Sequence, residues 1–303
     1  MARPRHGVAT AATEPGGAMK TILITGASGG LGLAIAVQSA RAGYKVYATM
    51  RDPAKRGDLD MALAAEGLSA EVRPLAVDDS ASMAAAVDHI QRSDGRIDVL
   101  VNNAGMGFAR SLEQANEADI DRVLDVNLRG VMRCTKAVLP HMRAARRGHV
   151  ITIFSVGGLV GQPFNAVYSD SKFAVEGFME SLASYVGPAF APHFTCVEPG
   201  GIASGFAATA MKQIEASGGR LDDEYKPILN ADMTRMRDRA AEGGSFQSAD
   251  QVAAVVMGCL ANPAPPVRSR TSDAAEALCA LKTAADPDGL RLRDFVHDRF
   301  LRP

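Results

Sequence analysis

The 303-residue sequence predicts a doubly wound α/β fold, a single domain built on a parallel sheet. Three observations carry that expectation. Short β-branched runs recur along the chain, stretches of helical period separate them, and glycine, asparagine or serine gathers where the runs end. Runs that are apolar throughout need cover on both faces, which a parallel sheet between two helical layers supplies. Right-handed crossovers then bring every strand's C-terminal end to one edge, where ligands bind.

In chain order, TILIT (21–25) is the first strand and the stretch to about residue 42 its helix. YKVYATM (44–50), EVRPLAV (71–77), IDVLVNN (97–103), HVITIFS (149–155) and FTCVE (194–198) are the later strands. Residues 1–18, rich in Ala, Gly, Pro and Thr without apolar period, read as a disordered extension, with the domain running over 19–303.

Composition narrows the class. A hydrophobic fraction of 47% and a charged fraction of 22% are ordinary for a soluble globular protein. A net charge of −1 gives no reason to expect a nucleic-acid or anionic-membrane partner, and no apolar run reaches the roughly 18 residues of a membrane span. Cys134, Cys196, Cys259 and Cys279 lie far apart, and neither they nor the six histidines show metal-ligand spacing. The expectation is therefore no metal, no disulfide framework and a reducing cytoplasm.

The first motif is TGASGGLG (25–32), between the first strand and its helix. Gly26, Gly30 and Gly32 allow a tight turn and a close backbone approach, so that Ser28, Gly29, Gly30 and Leu31 would line a pyrophosphate at the helix N-terminus. A plain glycine-rich turn is the bland alternative. The second motif ends the second strand: Met50 stands where an NAD-selective site would carry a carboxylate, and Arg51 follows it. A guanidinium suits a 2′-phosphate, so NADP(H) is favoured; NAD(H) stays open because Asp52 would reach the ribose if the register moved by two. Asp78, after the third strand, would accept from an adenine amino group or cap the helix beginning near Ser80. In NNAG (102–105), Asn102 reads as structural, whereas Asn103, Ala104 and Gly105 would meet the cofactor.

VYSDSKFAVEG (167–177) carries the chemistry. Val175, Phe178, Met179, Leu182 and Val186 recur at helical spacing, so Tyr168 and Lys172 share one helix face. An adjacent ammonium favours a phenolate, and a tyrosine so placed can give a proton to a carbonyl or take one from an alcohol. Alone, such a pair is more often a helix surface. Ser155, closing the fifth strand, would polarise the same substrate oxygen. Asn127, in DVNLRG on the preceding long helix, would hold a water relaying protons to Lys172.

Together, TGASGGLG, NNAG, Asn127, Ser155, YSDSK and PGG (199–201) resemble the short-chain dehydrogenase/reductase family and its Rossmann-like fold, from about Met19 to Ser204. The resemblance implies a catalytic tetrad of Asn127, Ser155, Tyr168 and Lys172. It makes Tyr168 the acid/base, and gives Lys172 the tasks of lowering the tyrosine pKa and binding the nicotinamide ribose. Glu198, Pro199, Gly200 and Ile202 would border the nicotinamide, with Ser204 in place of the usual threonine near its carboxamide. VYATMRD, SVGGLVGQPFNAVYSDSKFAVEGFMESLA and DPDGLRLRDFVHDRF are similar to the 17β-hydroxysteroid and retinol dehydrogenases, a subgroup that tends to prefer NADP(H). The resemblance further implies a helical substrate lid over 202–246, a C-terminal extension over 266–303, and a homo-oligomer, dimer or tetramer, paired through the long helices. The lid carries Phe206, Met211, Ile214, Tyr225, Ile228, Met233 and Met236, which points to a bulky, mainly apolar ketone or secondary alcohol. A non-catalytic redox-sensing regulator of the same fold is the alternative, and it could dispense with Ser155, Tyr168 or Lys172.

Overall fold

The computed structural model describes residues 19–203, 205, 222–241 and 246–300. The expected extension over 1–18 lies outside them, as do Ser204 and, in the expected lid, Phe206, Met211 and Ile214.

Seven parallel strands form the main sheet: β1 (Thr21–Thr25), β2 (Lys45–Met50), β3 (Glu71–Pro74), β4 (Val99–Asn102), β5 (His149–Ile153), β6 (His193–Glu198) and β9 (Arg268–Arg270). Their order is β3-β2-β1-β4-β5-β6-β9, and a separate parallel pair joins β7 (Ile202–Ala203) to β8 (Gln247–Ser248). The third strand stops at Pro74, because a proline cannot donate to a ladder, and so is shorter than the 71–77 run suggested. The seventh strand had no distinct sequence signal. It is three residues long and pairs Cys196, Val197 and Glu198 with Arg268, Ser269 and Arg270.

Helices cover both faces. One layer holds α1 (Gly30–Arg41), α2 (Gly57–Ala64) and α8 (Ala249–Ala261), burying Ile35, Leu59, Leu63, Val252 and Val256 against Ile22, Ile24, Val101 and Ile151. The other holds α3 (Ser80–Asp94), α5 (Gly130–Ala145) and α6 (Ala166–Phe190), burying Met83, Ile90, Val138, Met142, Val175 and Met179 against Leu23, Leu100 and Val150. Adjacent residues of one strand thus enter different cores, which is why the runs read as apolar throughout. The remaining described helices are α4 (Glu117–Leu124), α7 (Lys226–Ala241), α9 (Asp273–Thr283) and α10 (Leu290–Phe300). No described helix is long and apolar enough to cross a membrane.

Strand order reverses at β1, which has β2 on one side and β4 on the other. The crevice above their C-terminal ends is the topological switch point where such sheets bind ligands.

Candidate active site

The switch-point crevice is built by glycine and by amide ties. Gly26 adopts φ +71°, and a Cβ there would stand 2.9 Å from the Ala104 Cα. A Cβ on Gly32 would collide with the Gly26 carbonyl oxygen and lie 2.5 Å from Asn103 Nδ2. The loop is held in place by Thr25, whose Oγ1 accepts from Asn103 N and Ala104 N, each at 3.0 Å. Asn103, expected to meet the cofactor, donates its amide to the carbonyls of Thr25 at 2.9 Å and Gly26 at 3.0 Å, so its side chain ties β4 to the glycine turn. Asn102 donates to Thr135 and Thr152. Gly105 is exposed beside this seam.

The mouth of the crevice fits a dinucleotide pyrophosphate. Gly29 is the N-cap of α1 and supplies no side-chain hydrogen bond, which leaves the first-turn N–H groups to meet an anion. A Cβ on Gly29 would find nothing within 4 Å, so the approach is open. Ser28 is half-buried beside it, and Leu31 anchors the helix in the core. At the end of β2, Met50 is 3% exposed and Arg51 is exposed. The Asp52 carboxylate accepts from Ala54 N at 3.0 Å as the cap of a short 3-10 turn. Asp79, not Asp78, caps α3 by accepting from Ala81 N at 2.8 Å, and Asp78 is exposed just past β3.

The four tetrad candidates converge at the ends of β5 and α6. Ser155 caps a 3-10 turn, Val156–Gly158, its Oγ accepting from Gly157 N at 3.0 Å. The same hydroxyl hydrogen-bonds the Tyr168 phenol. A Cβ on Gly157 would stand 3.3 Å from both Ser155 Oγ and Tyr168 Cε1, so only glycine lets the turn lie flat against the pair. Lys172 is buried, with Nζ 5.8 Å from the Tyr168 ring centre and donating to the Ile153 carbonyl at 3.1 Å. The Pro199 carbonyl accepts from Val156 N at 3.0 Å, which ties the Pro199–Gly200 corner to the residue after Ser155. Ile202 stands just beyond, in β7.

One expectation is corrected. Asn127 does not sit in a regular long helix. It lies in a π turn, Asp125–Arg129, between α4 and α5, the kind of irregularity that often marks functional sites. Its buried amide is already satisfied: Oδ1 accepts from Met106 N at 2.8 Å, while Nδ2 donates to Met106 O at 2.9 Å and Ser171 Oγ at 3.2 Å. The side chain therefore braces the loop after β4. Burial pushes the Tyr168 phenol above its ordinary value, and the Ser155 hydrogen bond pulls it partly back. Burial also lowers Lys172 to about 8.

Three contributors carried little sequence signal. Ser171, inside YSDSK, donates to the Tyr168 carbonyl at 2.6 Å and joins Asn127 to the start of α6. Gly157 is a glycine among several. Thr25 looks like an ordinary strand residue. The described lid residue Tyr225 donates to Glu113 at 2.8 Å and meets Phe164 edge-on at 6.4 Å. A cavity of about 330 Å³ lined by Gly187, His193, Arg293 and His297 opens at the other end of β6, away from this chemistry.

Comparison with known proteins agrees with this geometry. Residues 20–215 match the family model described as short chain dehydrogenase. Retinol dehydrogenase 8 of Bos taurus is 40% identical over 276 residues, covering 90% of this chain and 87% of that protein. 17-beta-hydroxysteroid dehydrogenase type 1 of Homo sapiens is 38% identical over 290 residues, covering 92% of this chain and 85% of its own length. A short chain dehydrogenase/reductase of Burkholderia phymatum, solved in complex with NAD, superposes with a TM-score of 0.73 at 26% identity, covering 88% of this chain and 93% of that one.

Proposed function

Because this chain belongs to the short-chain dehydrogenase family and is an oxidoreductase acting on CH–OH donors, we propose that it moves hydride between NADP(H) and a bulky, mainly apolar ketone or secondary alcohol. The observation that carries the chemistry is the hydrogen-bonded Ser155–Tyr168 pair with Lys172 buried behind the ring. The bound nicotinamide supplies or accepts the hydride. Tyr168, a protonated phenol in this environment, gives its proton to the carbonyl oxygen, and Ser155 orients that oxygen. Lys172 holds the nicotinamide ribose and supplies positive charge beside the phenol, which favours phenolate once the proton has left. Gly26, Ser28, Gly29, Gly30, Leu31 and Gly32 hold the pyrophosphate; Ala104, Gly105, Pro199, Gly200 and Ile202 shape the nicotinamide half.

The NADP(H) preference is supported by Arg51, exposed at the end of β2, and by the engagement of Asp52 as a cap. Asp78, freed from capping, would accept from the adenine amino group. The apolar substrate class is supported by the retinol and steroid names of the relatives. Homo-oligomerisation through α5 and α6 is supported by the exposed Met132, Phe173 and Tyr185 on those helices.

A panel of steroids, retinoids and small aromatic ketones, followed by NADPH absorbance, tests the reading. Turnover of at least one bulky apolar member is expected. NADPH binding with no turnover across the whole panel would favour the non-catalytic redox sensor.

A further inference from the structure

Along the inward face of α6, four polar side chains follow at four-residue intervals: Tyr168, Lys172, Glu176 and Glu180. The first two belong to the site already described. The next two run into a buried charge cluster that the proposed reaction does not use.

Arg268, on β9, donates Nε to Glu176 Oε1 at 2.6 Å, Nη2 to Glu180, and Nη1 to the Asp286 carbonyl at 2.9 Å. Arg270, two residues on, donates Nη1 to Glu198 Oε2 at 3.1 Å and also engages Glu276 and the Pro287 carbonyl. Glu198 is the last residue of β6, immediately before Pro199, and is wholly buried. Two guanidinium groups thus face four carboxyl groups. Two carboxyl oxygens, Glu176 Oε2 and Glu198 Oε1, are buried without a hydrogen-bond partner. The Cys196 thiol, on β6, hydrogen-bonds Glu176, and Cys279, on α9, borders Glu198.

An ionised carboxylate is an acceptor only, and two such oxygens sealed from water in an acid-rich cluster are costly. A proton on one of them makes a donor and removes one of two neighbouring like charges. We propose that Glu176 and Glu198 hold a single proton between them in the resting protein, and that the pair acts as a positioning group for Lys172, one helical turn away. Burial first, then the Glu176 charge, pushes Glu198 up to about 8, and burial raises Glu176 as well. Burial lowers Lys172 to about 8, and Glu176 follows it by four residues on α6. Ionisation of the pair at alkaline pH adds a negative charge to the cluster that begins one helical turn from Lys172. The added negative charge then holds the ammonium in place. The Lys172 half of this proposal rests on the reading of that lysine as a catalytic group.

Infrared spectroscopy of the full chain across a pH titration, in light and heavy water, tests the shared proton. The carbonyl stretch of a protonated carboxyl should be present at neutral pH and vanish in alkali. It should be lost in both Glu198→Gln and Glu176→Gln, because the carboxyl left behind stays ionised beside its own arginine. Absence of the band from the wild type overturns the proposal, and so does its survival in Glu176→Gln, which would mean that Glu198 alone is protonated. Circular dichroism checks that each variant folds, and the wild-type band decides even where one does not. The alkaline limb of kcat/KM, or of NADPH affinity if no substrate is turned over, should move to lower pH in both variants. Profiles that superpose on wild type overturn the positioning role without touching the catalytic reading, which stands or falls with Tyr168.

Discussion

If Tyr168 is the proton donor, as proposed, the loss of its hydroxyl should be felt in turnover rather than in cofactor binding. Tyr168→Phe is expected to lower kcat by about 10²–10⁴-fold, the range of general acid catalysis, with NADPH affinity near wild type. Steady-state kinetics with fluorescence titration of NADPH separates the two effects, and retained turnover would remove the mechanism. The proposed NADP(H) preference rests on Arg51. Met50→Asp would also test that choice, but Met50 is buried with Ala27 and Leu31, so a carboxylate there would strain the fold as well. Arg51→Ala is cleaner because the side chain is exposed. It should weaken NADP(H) binding by about 10–100-fold, the worth of a charged hydrogen bond, and leave binding of the unphosphorylated NAD(H) nearly unchanged. Equal losses for both cofactors would contradict the assignment.

At the scale of elements, the glycine turn and the π turn make different demands. Gly32 is fixed by backbone: the obstacle to a methyl group is the Gly26 carbonyl, which cannot swing aside as a side chain would. Gly32→Ala should destabilise the fold by roughly 1–3 kcal/mol and abolish tight NADPH binding, read by thermal melting and fluorescence. Unchanged affinity would show that the turn is not the pyrophosphate seat. The π turn presents Asn127 to Met106 and Ser171, a role visible only when three distant segments meet. Asn127→Ala leaves the Met106 N–H and C=O without their partner. It should cost about 1–3 kcal/mol and loosen the loop that lines the nicotinamide side. Strand ends and their motifs were legible because each is local: an apolar run, then glycine, asparagine or serine. The π turn was not, because its cause is tertiary contact rather than residue type.

For the whole molecule, two buried groups bend stability with pH in opposite directions. His149, between β5 and β6, is held neutral, its pKa lowered by burial and then by His193 from 6.5 to about 3. The unfolded chain binds that proton more readily, so its contribution is present above about 6.5 and lost as pH falls toward 3. Glu198 is shifted the other way, from 4.5 to about 8, so its contribution is present below about 4.5 and lost as pH rises through 8. The melting temperature should therefore peak in mildly acidic solution and decline toward pH 8. Scanning calorimetry across pH checks this, and a melting temperature still rising through pH 8 would contradict it. Replacing Glu198 by Gln should flatten the alkaline decline.

By itself the sequence determined the doubly wound architecture, the order of the motifs and the gathering of Ser155, Tyr168 and Lys172 at one edge of the sheet. Periodicity and strand-end chemistry are local, and right-handed crossovers fix the rest. Only the tertiary structure decided which charges would lose their water. Glu176, Glu198, Arg268 and Arg270 lie in three separate stretches of chain, and no local pattern joins them. The short strand β9 brings them together beneath Pro199, where desolvation depends on neighbours that no local pattern names.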